Sequence, residues 1–518
     1  MKDLFINKAE ELVPPLYKKE ILPLGTVNIV SDANYHLGCK SVASNDKDKV
    51  FTNGDEIIWD FGNHCVGYLN FHIEVLHNPA DAPVKLEITF GEVPYEIFCN
   101  NAEYTGILSS SWIQTEILVV DTIPSIVRLN RRYAFRYVKV KVLAISRNYS
   151  IKISDIRVTT VTSANEHNLK ELPENTDSQL IEIDRICAQT LKNCMQTVYE
   201  DGPKRDRRLW MGDLRLQALT DYYLFKNYDL VKRCLYLFSG LRSASERVVA
   251  CIYEKPNLCA DNIMLMDYSL MFNVALFDYF EATNDLETSK ELFPIAMKQI
   301  YALRNELDKD SIIIKQEGWW AFIDWCDDLQ KVTSMQGLSI YAVDRTARLA
   351  KSIGMNTQYN ELIKIVDDMR TASIKHLFNK EEGLFINKYD NYQLSISSQV
   401  WMILADVVDR SVGIEIIKNI EKNKDAKCLV TPYMHHYFVE CLFHLGIIED
   451  AVNYIKAYWG DMVKKGADSF WEVYCPDDEW LSPYNDVMIH SFCHAWSCTP
   501  SYFIRKWYDE IRSIPAKS

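Results

Sequence analysis

The sequence predicts a multidomain α and β protein in which an N-terminal β-sandwich, residues 1–165, precedes an (α/α)6 barrel, residues 175–512. The 518 residues exceed what one hydrophobic core usually holds, so two or three domains are expected. Before residue 165 the apolar segments are short, β-branched and aromatic, which is typical of strands. After residue 175 the apolar positions recur with helical spacing, almost to the C-terminus.

The N-terminal region contains several segments that we predict to be strands. Many of them alternate apolar and polar residues with a period of two, as half-buried strands do. Turns such as Asn53-Gly54 separate them. The predicted strands lie at about 50–61, 67–75, 84–90, 112–120, 137–142 and 151–158. Many short strands with turns between them indicate a β-sandwich.

The C-terminal region contains about twelve predicted helices. Asp177 or Ser178 caps the first helix, whose apolar face runs from Leu180 to Cys194. The others are expected at about 213–226, 228–242, 262–284, 286–307, 331–353, 356–377, 394–407, 412–421, 430–445, 447–463 and 488–510. Such a series fits either a solenoid of helix pairs or six hairpins closed into a barrel. We favour the barrel because no repeating sequence unit is present.

The charge and cysteine content exclude several classes of protein. Lys and Arg total 57 against 71 Asp and Glu, a net charge of -14, which argues against a nucleic-acid partner. No apolar run is long enough to span a membrane, and the N-terminus shows no secretory signal. The 14 cysteines include no CxxC pair, so we expect reduced thiols and a cytoplasmic protein.

The densest polar segment of the helical region, residues 199–213, falls between two predicted helices, where functional residues tend to lie. Its charged and aromatic residues include Asp201, Arg205, Asp206, Arg207, Arg208, Trp210 and Asp213. Carboxylates and guanidinium groups bind sugar hydroxyls, and an indole face packs on a pyranose ring. A solvated, salt-bridged loop is the alternative interpretation. A solvated loop, however, does not require Gly202-Pro203 or the single Trp.

Three other segments combine aromatic and polar residues. Residues 318–325 suit either the wall of a sugar pocket or a helix-packing core. Residues 465–472 form a glycine-led segment that ends in a Trp and a carboxylate. His490 and His494 would share one helical face, but no nearby acid or Cys completes a zinc site, so sugar contacts are favoured over a metal. No nucleotide-binding glycine motif and no GxSxG is present, and neither a metal nor a cofactor is expected.

The segment from Asp201 to Asp213 resembles the signature of glycoside hydrolase family 78, the bacterial α-L-rhamnosidases. That signature runs from an Asp through a Pro, an Arg and an acid to a Trp and a Gly-Asp. Residues 466–472 resemble the family's later Gly-Ala-Thr-Thr-Ile-Trp-Glu segment. Residues 59–68 and 134–137 resemble the β-domain that precedes the family's six-hairpin barrel. The resemblance extends from about residue 55 to 500, in the expected order.

The resemblance implies inverting hydrolysis of terminal non-reducing α-L-rhamnose. Asp206 matches the family's general acid and Glu472 its general base, and an inverting pair lies roughly 6.5–9.5 Å apart. The residues that match sugar-holding positions are Asp201, Arg205, Trp210 and Asp213. Those that fall near other pocket positions are Trp319, Trp320, Asp324, Trp325 and His494.

The chain departs from the family pattern at two positions of this signature. The best-known members have Glu where this chain has Asp206, and often Cys where it has Gly202. Asp is one methylene shorter than Glu, so the backbone would have to approach the substrate more closely. Asp213 or Asp201 is the alternative acid.

The single β-domain and the short segment after the barrel favour small rhamnosides, either disaccharides or flavonoid glycosides, as substrates. A homodimer is expected because soluble enzymes commonly associate with twofold symmetry. Two other functions stay open at this point. One is another exo-glycosidase on the same barrel. The other is a catalytically inactive sugar-binding protein.

Overall fold

In the computed structural model, which describes residues 2–46, 48–99, 101–314, 320–387 and 392–514, an antiparallel sheet region precedes a helical region. This order confirms the predicted fold class. The last strand of the large sheet ends at Thr162, and the first long helix of the helical region begins at Ser178.

Ten described strands of the N-terminal region form one antiparallel sheet. They are β1 (Tyr17–Ile21), β2 (Gly25–Ser31), β3 (Cys39–Ser44), β4 (Val50–Phe51), β5 (Glu56–Leu76), β6 (Val84–Gly91), β7 (Thr115–Val120), β8 (Ser125–Arg128), β9 (Tyr133–Ala144) and β10 (Ser150–Thr162). The main path runs β1-β10-β5-β9-β6-β7. Buried side chains of β5, β6, β9 and β10 pack into one core, as a β-sandwich requires.

Strand β5 is one element of 21 residues where the sequence analysis expected two shorter strands. Its pairing with β9 shifts register between Asp60 and Cys65. Gly62 lies in this irregular stretch with a positive φ of 82°, a conformation that glycine adopts without strain. The turn residues that seemed to end a strand therefore form a bulge within one.

The helical region and its short connecting strands follow. The helices are α3 (Ser178–Cys194), α4 (Met211–Asp221), α5 (Tyr228–Gly240), α6 (Met266–Thr283), α7 (Leu286–Arg304), α8 (Val332–Ser352), α9 (Asn356–Leu377), α10 (Ile396–Leu404), α11 (Arg410–Lys422), α12 (Pro432–His444), α13 (Ile448–Lys464), α14 (Pro500–Lys506) and α15 (Tyr508–Arg512). The strands are β11 (Leu209–Trp210), β12 (Cys251–Tyr253), β13 (Cys259–Ala260), β14 (Phe378–Asn379) and β15 (Leu384–Phe385). Asp177 caps α3 by accepting from the N–H groups of Gln179 and Leu180.

Alternate helices form the inner wall of a barrel. Every residue of α4 is buried, and α4, α6, α8, α10 and α12 contact one another in that order. The helices between them, such as α11 and α13, bury one face and expose the other. Helix α14 contacts α4, and its Phe503 packs on His436 of α12, which closes the ring. The predicted barrel is therefore confirmed, and the solenoid is excluded.

The prediction of a helix at 488–510 is wrong for the first half of that range. Residues Val487–Ile489 and Ala495–Ser497 form short 3-10 turns, and the α-helix begins only at Pro500. His490 and His494 consequently do not share a helical face. The physical reason is that backbone N–H groups of this stretch are used by distant partners. The N–H of His494, for instance, donates to the carbonyl of Phe470 at 2.8 Å.

Two short N-terminal elements are helical although no helix was expected there: α1 (Lys2–Glu11) and α2 (Pro94–Phe98). Helix α1 packs on α5 through Phe5 and Ala9, whose side chains join the core of the helical region. Among the described helices, none is both long and apolar enough to cross a membrane.

Candidate active site

A pocket of about 100 Å³ opens at the end of the barrel where the outer helices connect to the inner helices. We call it the central pocket. Nine residues predicted for the site line it: Asp201, Arg205, Asp206, Trp210, Asp213, Trp320, Trp325, Glu472 and His494. Five others line it that the sequence analysis did not select: Leu265, Tyr268, Phe322, Tyr484 and Trp496. The loops before α4, α6, α8 and α14 supply nearly all of them, because these loops share one end of the barrel.

Two predicted residues are not among those that line the central pocket. Trp319 lies outside the described residues. Asp324 is buried beside the pocket, where its carboxylate accepts from the N–H groups of Val430 and Thr431 at 2.8 and 3.0 Å. It also accepts from the N–H of Trp325 at 2.9 Å. Asp324 therefore holds the start of α12 and orients a pocket residue.

Asp201 closes the loop before α4 on itself. Its two carboxylate oxygens accept from the N–H groups of Asp206 at 3.2 Å and Arg208 at 3.1 Å. Burial, and next the neighbouring Asp206, raise the pKa of Asp201 to about 8. A Cβ at Gly202 would lie 2.5 Å from both the Arg205 carbonyl oxygen and the Ser491 hydroxyl. This close approach explains why the loop has glycine at that position.

Glu472 is a buried carboxylate that accepts four hydrogen bonds. Both oxygens accept from Nη2 of Arg205 at 2.7 Å. Oε1 also accepts from the Tyr484 hydroxyl at 2.7 Å, and Oε2 accepts from the Ser491 N–H at 2.9 Å. Burial by itself would raise the pKa of Glu472, but the Arg205 cation and the hydrogen bonds outweigh it and lower the pKa to about 2. Glu472 is therefore ionised at neutral pH, as a general base must be.

Arg205 lies between the carboxylates of Glu472 and Asp206. Its Nη1 is 3.4 Å from Oδ1 of Asp206, while Nη2 holds Glu472. Its Nε donates to the Ile489 carbonyl at 3.0 Å, and the guanidinium stacks 4.4 Å from the Tyr484 ring centre. One guanidinium therefore contacts both carboxylates.

Asp213 and His494 present unsatisfied polar atoms in the pocket. Oδ1 of Asp213 and Nδ1 of His494 are 3.8 Å apart, and neither has a hydrogen-bond partner among the described residues. Burial, and next Asp201, raise the pKa of Asp213 well above its ordinary value. Burial lowers the pKa of His494 to about 4. His494 is therefore neutral at pH 7, burial favours the protonated form of Asp213, and together the two groups can donate to and accept from a sugar hydroxyl.

Aromatic rings form the apolar wall of the central pocket. Phe322 lies 5.4 Å from Trp325 in an edge-on contact and 5.8 Å from Trp496 in a stacked one, measured between ring centroids. The Tyr268 ring reaches this wall because Gly212 has no side chain: a Cβ there would lie 2.5 Å from the ring. Trp320 remains 52% exposed at the pocket mouth. Such rings pack against the C–H faces of a pyranose.

The sheet region anchors the loops that carry the two carboxylates. Lys204, next to Arg205 in the chain, lies 3.4 Å from Oε2 of Glu92 and forms a closer ion pair with Glu96. Glu92 also accepts from the N–H of Phe492 at 2.7 Å. All of these side chains are buried. The β-domain therefore positions both the loop before α4 and the loop before α14.

Sequence reasoning missed five lining residues for identifiable reasons. Phe322 and Trp496 lie inside segments that the sequence analysis singled out, so aromatic density was a usable signal for them. Tyr268 lies in the buried first turn of α6, where an aromatic residue is indistinguishable from core. Tyr484 and Leu265 lie in loops without any motif. Among the described residues, no group of His, Cys, Asp and Glu is arranged to hold a metal ion.

Two family models match the chain. One, for the glycosyl hydrolase family 78 α-rhamnosidase N-terminal domain, matches residues 23–160. The other, for the bacterial α-L-rhamnosidase six-hairpin glycosidase domain, matches residues 174–507. A comparison with curated proteins gave no significant match.

Several solved structures are similar to this chain. A rhamnosidase from Klebsiella oxytoca with rhamnose bound is 39% identical, with a TM-score of 0.95, and the match covers 98% of this chain and 99% of that one. A family 78 rhamnosidase of Bacillus sp. GL1 is 19% identical, with a TM-score of 0.75, over 90% of this chain and 49% of the other. The Streptomyces avermitilis α-L-rhamnosidase complexed with L-rhamnose is 14% identical, with a TM-score of 0.66, over 95% and 44%. The last two share the fold, and this chain spans about half of their length.

Proposed function

The chain belongs to glycoside hydrolase family 78, the bacterial α-L-rhamnosidases, and we propose that it removes terminal non-reducing α-L-rhamnose from small rhamnosides with inversion. The substrates proposed are disaccharides or flavonoid glycosides. The observation that carries the proposal is the pair of carboxylates, Asp206 and Glu472, joined through Arg205 on the polar side of an aromatic-walled pocket.

The proposed acid is Asp206 and the proposed base is Glu472. Asp206 must be protonated when the reaction begins. It donates that proton to the glycosidic oxygen as the bond to the anomeric carbon breaks. A water molecule attacks that carbon from the opposite face and gives its proton to Glu472, so the sugar leaves as the β anomer. Asp201, Asp213, Trp210 and His494 are proposed to bind the rhamnose, with Trp320 and Trp325 as further contacts.

The attacking water needs an acceptor position on Glu472. A carboxylate offers about four lone-pair positions, and the hydrogen bonds from Arg205, Tyr484 and Ser491 occupy all of them. We infer that the Tyr484 hydroxyl gives way to the water. It is the neutral side-chain donor and lines the pocket, whereas the Ser491 donor is part of the backbone.

The test is hydrolysis of p-nitrophenyl α-L-rhamnopyranoside by the wild type, Asp206→Asn and Glu472→Gln, with proton NMR of the first sugar released. We expect β-rhamnose first and a loss of roughly 10²–10⁴-fold in kcat for each variant. Asp213→Asn is assayed beside them, because Asp213 is the alternative acid and its carboxyl is buried in the same pocket. If Asp206→Asn stays active while Asp213→Asn is dead, the acid assignment is wrong. No turnover of any rhamnoside would contradict the proposed activity.

We also propose that the enzyme works in the cytoplasm as a homodimer. All fourteen cysteines are free, which suits a reducing compartment. Fractionation of the source cells tests the location. Size-exclusion chromatography coupled to light scattering tests the oligomeric state. A molar mass equal to the 60.2 kDa of one chain would contradict the dimer.

A further inference from the structure

A second cavity lies next to the proposed acid. It is a cleft of about 490 Å³ between the β-domain and the barrel. Asp206 is the one described residue that lines both this cleft and the central pocket. On the proposed function, on which this inference rests, the acid touches the oxygen that joins rhamnose to the departing group. The departing group therefore lies beyond Asp206, and we call this cavity the leaving-group cleft.

The other carboxylates of the leaving-group cleft are neutralised by arginines. Glu200 lies 2.7 Å from Arg132 in an ion pair. Glu254 lies 2.6 Å from Arg233 and also accepts from the Thr197 hydroxyl. Each of these two carboxylates is therefore already paired with an arginine.

Arg207 is a cation of the cleft that forms no ion pair with a described carboxylate. Its guanidinium donates to the carbonyl oxygens of Pro203 at 2.7 Å and Arg132 at 2.9 Å, and no described carboxylate lies within 4.0 Å. Burial, and next the positive charge of Arg132, lower the pKa of Arg207 to about 10, and the nearby Glu200 carboxylate offsets only part of this effect. An arginine crowded by like charge in this way favours the arrival of an anion.

Two further cations face the same cleft. Arg208 stacks 4.3 Å from the Tyr253 ring centre, and its nearest acid is Asp206 at 3.6 Å. Lys255 is exposed, and within the described parts of the chain no carboxylate lies at ion-pair distance from it. In the same cleft, Tyr68 and the half-buried Trp112 of the β-domain offer aromatic surface to a sugar ring.

We propose that the leaving-group cleft binds an anionic sugar, a uronate whose carboxylate lies among Arg207, Arg208 and Lys255. The substrates are accordingly α-L-rhamnosyl uronates. The aromatic wall takes the ring, and the cations take the charge. The whole chain carries a net charge of -14, which repels an acidic substrate. The cations of the cleft provide a local positive field that attracts the substrate to this site.

The test compares kcat/KM for an α-L-rhamnosyl glucuronate and for its methyl ester, which keeps the shape and removes the charge. We expect the uronate to be favoured by about tenfold at low ionic strength, and the ratio to fall as salt screens the cleft. Lys255→Gln should lower the ratio by about twofold to fivefold. Lys364→Gln, which removes an exposed lysine from α9, is the matched control and should leave the ratio unchanged.

Hydrolysis of p-nitrophenyl α-L-rhamnopyranoside separates this inference from the proposed function. If that neutral substrate is hydrolysed while the ratio of uronate to ester is near one or below, the anionic specificity is overturned and the rhamnosidase activity stands. An equal fall of the ratio in Lys255→Gln and Lys364→Gln would overturn the assignment of the cleft. Failure to hydrolyse any of the three rhamnosides would overturn the proposed function and this inference with it.

Discussion

Replacing Tyr484 by Phe removes one of the four hydrogen bonds that stabilise the ionised form of Glu472. The hydroxyl donates at 2.7 Å to Oε1. A hydrogen bond to a charged group contributes roughly 1.5–3 kcal/mol, and about 1.4 kcal/mol corresponds to one pKa unit. The pKa of Glu472, about 2 in the wild type, should therefore rise by roughly one to two units in Tyr484→Phe.

The expected readout is the acid limb of the pH dependence of kcat/KM. Glu472 acts as the base only when ionised, so activity is lost as the pH falls through its pKa. The assay is hydrolysis of p-nitrophenyl α-L-rhamnopyranoside from neutral pH down to the lowest pH at which fluorescence shows a folded protein. The fall in kcat/KM of Tyr484→Phe should lie one to two pH units above that of the wild type. It should therefore appear within the accessible pH range when that of the wild type does not yet appear.

Tyr268→Phe is the matched control for this experiment. Tyr268 lines the same pocket, but no hydrogen bond joins it to Glu472 among the described residues. Its acid limb should coincide with that of the wild type. Should the limb of Tyr484→Phe also stay in place, the hydroxyl does not stabilise the carboxylate, and the reasoning about the base is refuted.

Three further predictions concern the loop before α4. Because burial raises the pKa of Asp201 to about 8, we expect kcat/KM to fall as the pH rises through about 8, and Asp201→Asn to abolish that limb of the pH profile. Lys204→Met leaves the buried Glu96 without its cation and Glu92 with His64 alone, and should lower the free energy of unfolding by roughly 3–5 kcal/mol. Urea unfolding measures this loss, and adding Glu96→Gln should restore part of it; no recovery would contradict the ion-pair explanation. Gly202→Ala places a Cβ 2.5 Å from the Arg205 carbonyl oxygen, so a destabilisation of roughly 1–3 kcal/mol is expected, and an unchanged melting temperature would argue against the close contact.

The helical region illustrates what local periodicity can predict. The expected helix at 356–377 coincides with α9, and the expected 286–307 differs from α7 by three residues at one end. These helices bury one continuous face, so their apolar spacing reports directly on packing. Residues 488–499 have similar spacing but are not α-helical, because Glu472 and Glu92 accept their backbone N–H groups.

The candidate site also contains residues that local sequence could predict and residues that it could not. Trp210 and Asp213 were predictable because the loop before α4 concentrates chemically distinctive residues in a short stretch. The position of Asp324 beneath the pocket was not, since its partners lie 106 and 107 residues away in the chain. Local sequence carries no information about which backbone N–H groups will meet a given carboxylate.

Periodicity, capping and motif composition act over a few neighbouring residues, and they were enough to predict the order of strands and helices and the loops that hold the acids. The environment of those acids, in contrast, depends on contacts between distant parts of the chain. Arg205 meets Glu472 across 267 residues, and Lys204 meets Glu96 across 108. Both the ionisation of the proposed base and the anchoring of its loop depend on charges that folding brings together out of water, where burial makes their interaction strong.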